Sequence, residues 1–292
     1  MEALAHPGIG LVYDGKKTIY FTDLVHVWKL DITTGEPEIF LENIHTHELY
    51  LDPQGHLYGE HYWYVESEGK FKNYIWKADE KGILTKIIED RYDENNDFSF
   101  VRNNRFESFE IRKTADNYEI IKSDSVTETV LHQAKLKHPT WKYLTKKEEL
   151  LFIDYPSLYL ANSSDMVLLE SDISSSRFPF SLQSENHSIY GVWTDQNENI
   201  YVALYGGRQV IKIDKEGYMN RILTSSFLWS PVNGVFDKNE DLWLMECRIG
   251  GEIRVRKIEQ SELNKKASFL KENLFFLLAS MGIILLLYRK FK

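Results

Sequence analysis

The chain has 292 residues, with 35 Lys and Arg against 44 Asp and Glu, for a formal charge of −9. That length holds one large domain with a sizeable core, and 43% apolar with 27% charged residues exclude wholesale disorder and a collagen-like chain. Aromatic residues reach 14%, which leans toward strands, and Cys247 is the sole cysteine, which excludes an intrachain disulfide.

In chain order, residues 1–30 show no basic stretch followed by an apolar one, so no signal peptide is expected. From residue 8 to residue 258 long helical periodicity is nearly absent. Short runs rich in Val, Ile, Tyr, Phe and Trp alternate with turn clusters such as Asp14-Gly-Lys-Lys17 and Asp52-Pro-Gln-Gly55, which reads as many short strands.

These strands repeat. Gly10-Leu-Val-Tyr-Asp14 leads to Ile19-Tyr-Phe-Thr-Asp23 and Val27-Trp-Lys-Leu-Asp31. Glu48-Leu-Tyr-Leu-Asp52 leads to Leu57-Tyr-Gly-Glu-His61 and Ile75-Trp-Lys-Ala-Asp79. A looser copy starts at Phe98-Ser-Phe-Val-Arg102, and Trp141-Lys-Tyr-Leu-Thr145 leads to Leu150-Leu-Phe-Ile-Asp154. The clearest unit is Gly191-Val-Trp-Thr-Asp195, Ile200-Tyr-Val-Ala-Leu204 and Gln209-Val-Ile-Lys-Ile-Asp214. Asn233-Gly-Val-Phe-Asp237, Leu242-Trp-Leu-Met-Glu246 and Ile253-Arg-Val-Arg-Lys257 form the last. Unit starts at 10, 48, 98, 141, 191 and 233 give a period of 38–50 residues, the signature of a β-propeller blade. One blade cannot bury both of its faces, so the units must stack around a ring. The expected fold is all-β: a six-bladed β-propeller of four-stranded blades over residues 1–260. The last unit runs into Glu259-Gln-Ser-Glu262 after three strands, so its fourth strand is expected from Met1–His6 or not at all.

Residues 261–292 carry six basic and two acidic residues, which leaves 29 basic and 42 acidic in 1–260. Such an acidic head repels phosphates, so no nucleic acid partner is expected. Residues 261–272 read as a basic linker, 273–288 as a membrane span and 289–292 as a basic tail. The 16 residues 273–288 (NLFFLLASMGIILLLY) are uncharged and apolar on every helical face. As a helix they reach about 24 Å, and flanking Lys and Arg can snorkel to complete the crossing. The chain is therefore expected to be a single-pass membrane protein held by its C-terminal segment. Without a signal peptide the head is expected in the cytoplasm.

The repeat Gly-hydrophobic-x-hydrophobic-Asp, four turn residues, Ile-Tyr-Val-Ala, then Val-Ile-Lys-Ile resembles the NHL type. It is also similar to the six-bladed propellers of the senescence-marker and gluconolactonase superfamily. The resemblance covers about 250 residues and is weakest in the third unit. It implies, for that superfamily, metal-dependent lactonase or esterase activity in the central channel. Its members present an early Glu-Gly-Pro turn, a mid-chain Asn and a later Asp-Gly at the metal. Here His6-Pro7-Gly8 stands at the first place and Tyr190-Gly191 at the last, with Asn233 and Glu48 as substitutes outside the motif.

In a propeller blade the loop before the innermost strand and the end of the second strand meet at one mouth of the channel. His6, His45, His47, His138 and His187 fall just before innermost strands, and Glu48 and Asn233 open two of them. Asp23, Glu60, His61, Asp154 and Glu246 fall at the ends of second strands. The mouth is therefore expected to bind a ligand through His45, His47, Glu48, Glu60, His61, His187 and Asn233. Glu48, Asp154, Asn233 and Glu246 are the expected ligands of a divalent metal, Ca²⁺, Mn²⁺ or Zn²⁺. Against this stands the habit of strand-end carboxylates to cap loop N–H groups.

Gly-x-Ser-x-Gly and phosphate-loop motifs are absent, and Cys247 follows Glu246, whose charge disfavours a thiolate. The departures from the metal motif favour a membrane-anchored module that binds a small molecule or protein at its mouth. A metal-dependent lactonase or esterase is the alternative.

Overall fold

The computed structural model describes residues 8–92, 98–173 and 189–263. These form six antiparallel sheets in chain order. Blade 1 is β1 (Leu11–Tyr13), β2 (Thr18–Thr22), β3 (Val27–Asp31) and β4 (Pro37–Leu41). Blade 2 is β5 (Leu49–Leu51), β6 (Leu57–Val65), β7 (Lys70–Ala78) and β8 (Leu84–Tyr92). Blade 3 is β9 (Ser108–Lys113), β10 (Tyr118–Ser123) and β11 (Glu128–Ala134). Blade 4 is β12 (Pro139–Leu144), β13 (Leu150–Asp154), β14 (Ser157–Ala161) and β15 (Met166–Glu170). Blade 5 is β16 (Val192–Thr194), β17 (Ile200–Leu204), β18 (Gln209–Ile213) and β19 (Met219–Thr224). Blade 6 is β20 (Trp229–Phe236), β21 (Leu242–Arg248) and β22 (Ile253–Ile258).

Two blades depart from the expected four strands. In blade 3 the innermost segment 98–102 is reduced to one bridge, Arg102 to Ser108, with Phe109 N–H on Val101 O at 2.9 Å. Its place is filled by side chains: the Arg102 guanidinium lies 4.3 Å from the Phe98 ring and 4.4 Å from the Phe106 ring. Blade 6 has three strands among the described residues, and the segment 1–7 that was to supply a fourth lies outside them. The expected span at 273–288 also lies outside. Among the described residues no helix is long and apolar enough to cross a membrane.

The turn between the first two strands of a blade explains the repeat. In blade 5, Asp195 Oδ1 accepts the Asn199 N–H at 2.9 Å and Oδ2 accepts Asn199 Nδ2 at 2.7 Å, while Glu198 takes a left-handed φ of 62°. Blade 2 closes the same turn with Asp52 and puts Gly55 (φ 86°) at the left-handed position, where glycine carries no Cβ penalty.

Apolar side chains fill the wedges between blades. Tyr20, Val27 and Leu41 meet Leu57 and Trp76 between blades 1 and 2, and Tyr50 and Tyr58 meet Phe100 between blades 2 and 3. Phe109 and Ile120 pack with Phe152 between blades 3 and 4, and Ile153 and Leu158 with Val202 and Ile211 between blades 4 and 5. One cluster joins blades 5, 6 and 1 through Trp193, Tyr201, Leu244, Leu11 and Phe21, which closes the ring. At roughly 1.5–3 kcal/mol per fully buried large side chain, these seams hold the blades together.

Backbone bonds link neighbouring innermost segments around the channel. Ile9 and Gly10 N–H groups both reach His47 O, at 2.9 and 2.8 Å, and Gly191 N–H reaches Val232 O at 2.6 Å. Gly191 has no room for a side chain there, because a Cβ would stand 2.5 Å from Val232 O and 2.6 Å from Asn233 Oδ1.

The two faces of the ring differ. Loops entering the innermost strands and turns after the second strands share the upper face, where Ile44 N–H bonds Val25 O at 2.9 Å. Strands β6 and β7 run nine residues each, so blade 2 overhangs this face with Tyr64 and Phe71 half exposed. The described chain ends on the lower face in a helical turn at 260–263, pinned by Gln260 N–H on Asp241 Oδ1 at 2.9 Å.

Candidate functional site

The innermost segments of all six blades enclose a central channel of about 310 Å³. Most of its wall is apolar and aromatic, with Leu11, Tyr13, Tyr50, Phe100, Trp141 and Tyr143. Four polar side chains interrupt it: Glu48, Arg102, Lys142 and Asn233. A channel of this size with a few convergent polar groups is the usual form of a small-molecule site.

Glu48 and Asn233 thus reach the channel from opposite parts of the chain. Burial pushes the Glu48 carboxyl above its ordinary 4.5, opposed by Lys142 and reinforced by Glu60. Asn233 is committed to structure, since Nδ2 donates to Ile9 O at 2.7 Å across the blade 6–blade 1 seam and Oδ1 accepts the Gly234 N–H at 2.8 Å.

The other two residues expected to bind metal do not line the channel. Asp154 is 6% exposed and caps the loop entering blade 4, with Lys137 N–H at 3.0 Å from both oxygens and His138 N–H at 2.6 Å from Oδ1. Glu246 is fully buried and takes Arg254 Nε and Arg256 Nε on Oε2, each at 2.8 Å. Burial alone would raise its carboxyl, but Arg256 and Arg254 outweigh burial and hold it below the ordinary value. Both carboxylates are consumed by capping or pairing, the structural role open to them from the start. Their separation follows from register: Asp154, last in β13, faces the loop entering blade 4, and Glu246, within β21, faces the arginines of the neighbouring β22.

The donor set in the channel does not fit a divalent cation of the carboxylate-bound kind. Among the described residues Glu48 is its only carboxylate, both amide atoms of Asn233 are engaged, and no three His, Cys, Asp or Glu gather for a metal.

The histidines cluster on the upper rim beside Glu48. His45 Nε2 and His47 Nε2 stand 3.3 Å apart, and His47 Nδ1 is 3.2 Å from Glu60 Oε1. The same Glu60 oxygen accepts the backbone N–H groups of His47 and Glu48. His61 Nδ1 accepts the His45 N–H at 3.0 Å, and burial, then Lys86, hold this imidazole below its ordinary 6.5. His47 also meets Tyr62 edge-on at 5.4 Å. His187 lies outside the described residues.

Sequence reading overlooked Lys142 and Arg102, the two cations of the channel. A signal for both existed: each is a basic residue inside an innermost-strand segment whose other positions are mostly apolar. Cys247 is 4% exposed, and burial pushes its thiol up, away from nucleophilic use.

No family model and no curated protein matches the sequence. Solved structures do match the fold. A calcium-binding protein, regucalcin, from Agrobacterium tumefaciens aligns with TM-score 0.52 at 12% identity, over 82% of this chain and 83% of its own. A gluconolactonase from Xanthomonas campestris aligns with TM-score 0.50 at 14% identity, over 80% of this chain and 81% of its own. An auxiliary nutrient binding protein from Bacteroides thetaiotaomicron aligns with TM-score 0.53 at 7% identity, over 87% of this chain and 69% of its own. The protein is a six-bladed β-propeller whose structural neighbours include regucalcin and gluconolactonase, and at these identities the likeness is one of fold.

Proposed function

We propose that the central channel binds a small oxygen-rich molecule and hydrolyses it, with a lactone or simple ester as the substrate class. The observation that carries this reading is the pairing of Glu48, its carboxyl raised by burial, with Lys142 inside one channel. A raised carboxyl works as a general base nearer neutral pH than an exposed one. Glu48 takes a proton from a water molecule as that water's oxygen bonds to the substrate carbonyl carbon. The Lys142 ammonium stabilises the negative charge on the carbonyl oxygen. When the ring C–O bond breaks, the proton passes from Glu48 to the departing alkoxide. Arg102 lies on the blade 3 side of the same wall, where it can orient a polar substituent. A fold shared with gluconolactonase is consistent with this class of substrate, and the chemistry is drawn from this chain's own residues. The uncharged run 273–288 further supports attachment to a membrane.

The test is hydrolysis of δ-lactones and aryl acetates by the purified full-length protein. Glu48→Gln is expected to reduce kcat/KM by about 10²–10⁴-fold while leaving the protein folded, and Lys142→Met to reduce it similarly. Wild-type protein that binds sugar lactones or acids by native mass spectrometry yet hydrolyses none is instead a binding module. No binding and no turnover would remove the channel from consideration as the site.

A further inference from the structure

The rim histidines have a geometry that the channel chemistry does not use. His45 and His47 flank Thr46 in the loop that enters β5, and their rings lie together with centroids 4.8 Å apart. Their Nε2 atoms stand 3.3 Å apart. Two imidazole nitrogens bound tetrahedrally at about 2.0–2.1 Å from zinc stand about 3.3–3.4 Å from one another. Both residues are partly exposed, which leaves room for waters to complete a coordination shell.

Glu60 supplies the support that a metal-bound imidazole usually has. Its Oε1 faces His47 Nδ1 at 3.2 Å, so the Nδ1 proton is held there and the Nε2 lone pair is turned toward His45. The carboxylate is 2% exposed, and its second oxygen, Oε2, has no hydrogen-bond partner among the described residues. An anion this deeply buried with half of its acceptor capacity unused is costly unless a cation stands close by. His61 completes the frame by holding the His45 backbone N–H at 3.0 Å.

We infer that His45 and His47 form a site for a zinc-class divalent ion on the rim of the upper mouth, oriented by Glu60. Imidazole donors select Zn²⁺, Co²⁺, Ni²⁺ or Cu²⁺ over Ca²⁺. Without metal the 3.3 Å contact is an N–H···N hydrogen bond with one proton between the rings. Metal binding displaces that proton from between the rings, to His45 Nδ1 or to solvent. Glu60 is a positioning residue and does not touch the ion.

The experiment is titration of the full-length protein with Zn²⁺ by calorimetry and with Co²⁺ by visible absorption. One ion per chain is expected, with Zn²⁺ displacing Co²⁺ and a thousandfold excess of Ca²⁺ displacing neither. His45→Gln and His47→Gln should each weaken binding by about tenfold or more, and Glu60→Gln by about 10–100-fold. Glu60 is buried and its loss also affects folding, so the two histidine variants carry the decision, with their metal-free melting temperatures as the control. Glu48→Gln should retain one ion per chain, which keeps this site distinct from the channel reading. Absence of binding in the wild type, or equal affinity in the His45→Gln/His47→Gln double variant, overturns the assignment.

Discussion

The Tyr201 hydroxyl donates a 2.9 Å hydrogen bond to Oδ2 of Asp195, six residues earlier and one strand closer to the channel. Tyr58 makes the same bond to Asp52 at 3.1 Å, and Trp243 Nε1 makes it to Asp237 at 3.0 Å. One carboxylate thus closes a turn with one oxygen and receives an aromatic donor from the second strand with the other. This double duty explains why Asp and an aromatic recur at a fixed spacing in otherwise divergent blades. Asp195→Ala should lower unfolding free energy by about 2–3 kcal/mol, because the buried Tyr201 hydroxyl and the turn N–H lose their acceptor. The readout is the urea midpoint at unchanged slope. An unshifted midpoint would show that the turn closes without its carboxylate.

Glu48 and Glu246 should respond to neutralisation with opposite signs. Glu48 has a folded pKa above 4.5, so its ionisation costs stability as pH rises past that value. Glu48→Gln should therefore raise the melting temperature at pH 7, with the gain vanishing below about pH 4. Glu246 has a folded pKa below 4.5, so its contribution is present above that value and is lost as pH falls. Glu246→Gln should destabilise by about 3 kcal/mol at pH 7, the low end for a broken buried pair, because Arg254 and Arg256 are about a third exposed. Melting curves of both variants from pH 3 to pH 8 check this, and changes of the same sign would refute it.

Gly191→Ala should open the seam between blades 5 and 6. The added methyl has to displace the Val232 carbonyl, which is backbone and cannot rotate away. A loss of about 1–3 kcal/mol is expected, with the Asn233–Ile9 clamp disturbed in turn. Gly207→Ala is the control, since its nearest atom would be 3.7 Å away. Equal melting temperatures for the two variants would contradict the close approach.

The proposed membrane attachment rests on the uncharged run 273–288 and is checked by fractionation. Full-length protein should sediment with membranes after a high-salt wash, and truncation after Gln260 should release a β-rich head. Replacing Leu278 and Ile284 with Arg should also release it, at roughly 2.5–3.5 kcal/mol per central Arg. Full-length protein that stays in the supernatant would exclude a span.

The blades were legible because short apolar and aromatic strands recur every 38–50 residues and the innermost ones end at an Asp turn, as at Asp14, Asp52, Asp195 and Asp237. Blade 3 was the least legible, and the reason is visible at Arg102, where two phenylalanine rings and a guanidinium take over from a ladder. The rim was legible as a place: His45, His47, Glu60 and His61 are gathered there. Which carboxylates would face the channel was not. Glu48 opens an innermost strand while Asp154 and Glu246 fall toward the ends of second strands, and only the register of each strand against its neighbours decides whether a side chain meets a cavity, a loop amide or an arginine.

The Gln260–Asp241 bond fixes a direction as well as a contact. It brings the described chain off the ring on the face opposite the histidine rim. A tether through residues 264–292, as proposed for the run 273–288, would join the ring at its base, away from the mouth of His45, His47 and Glu48.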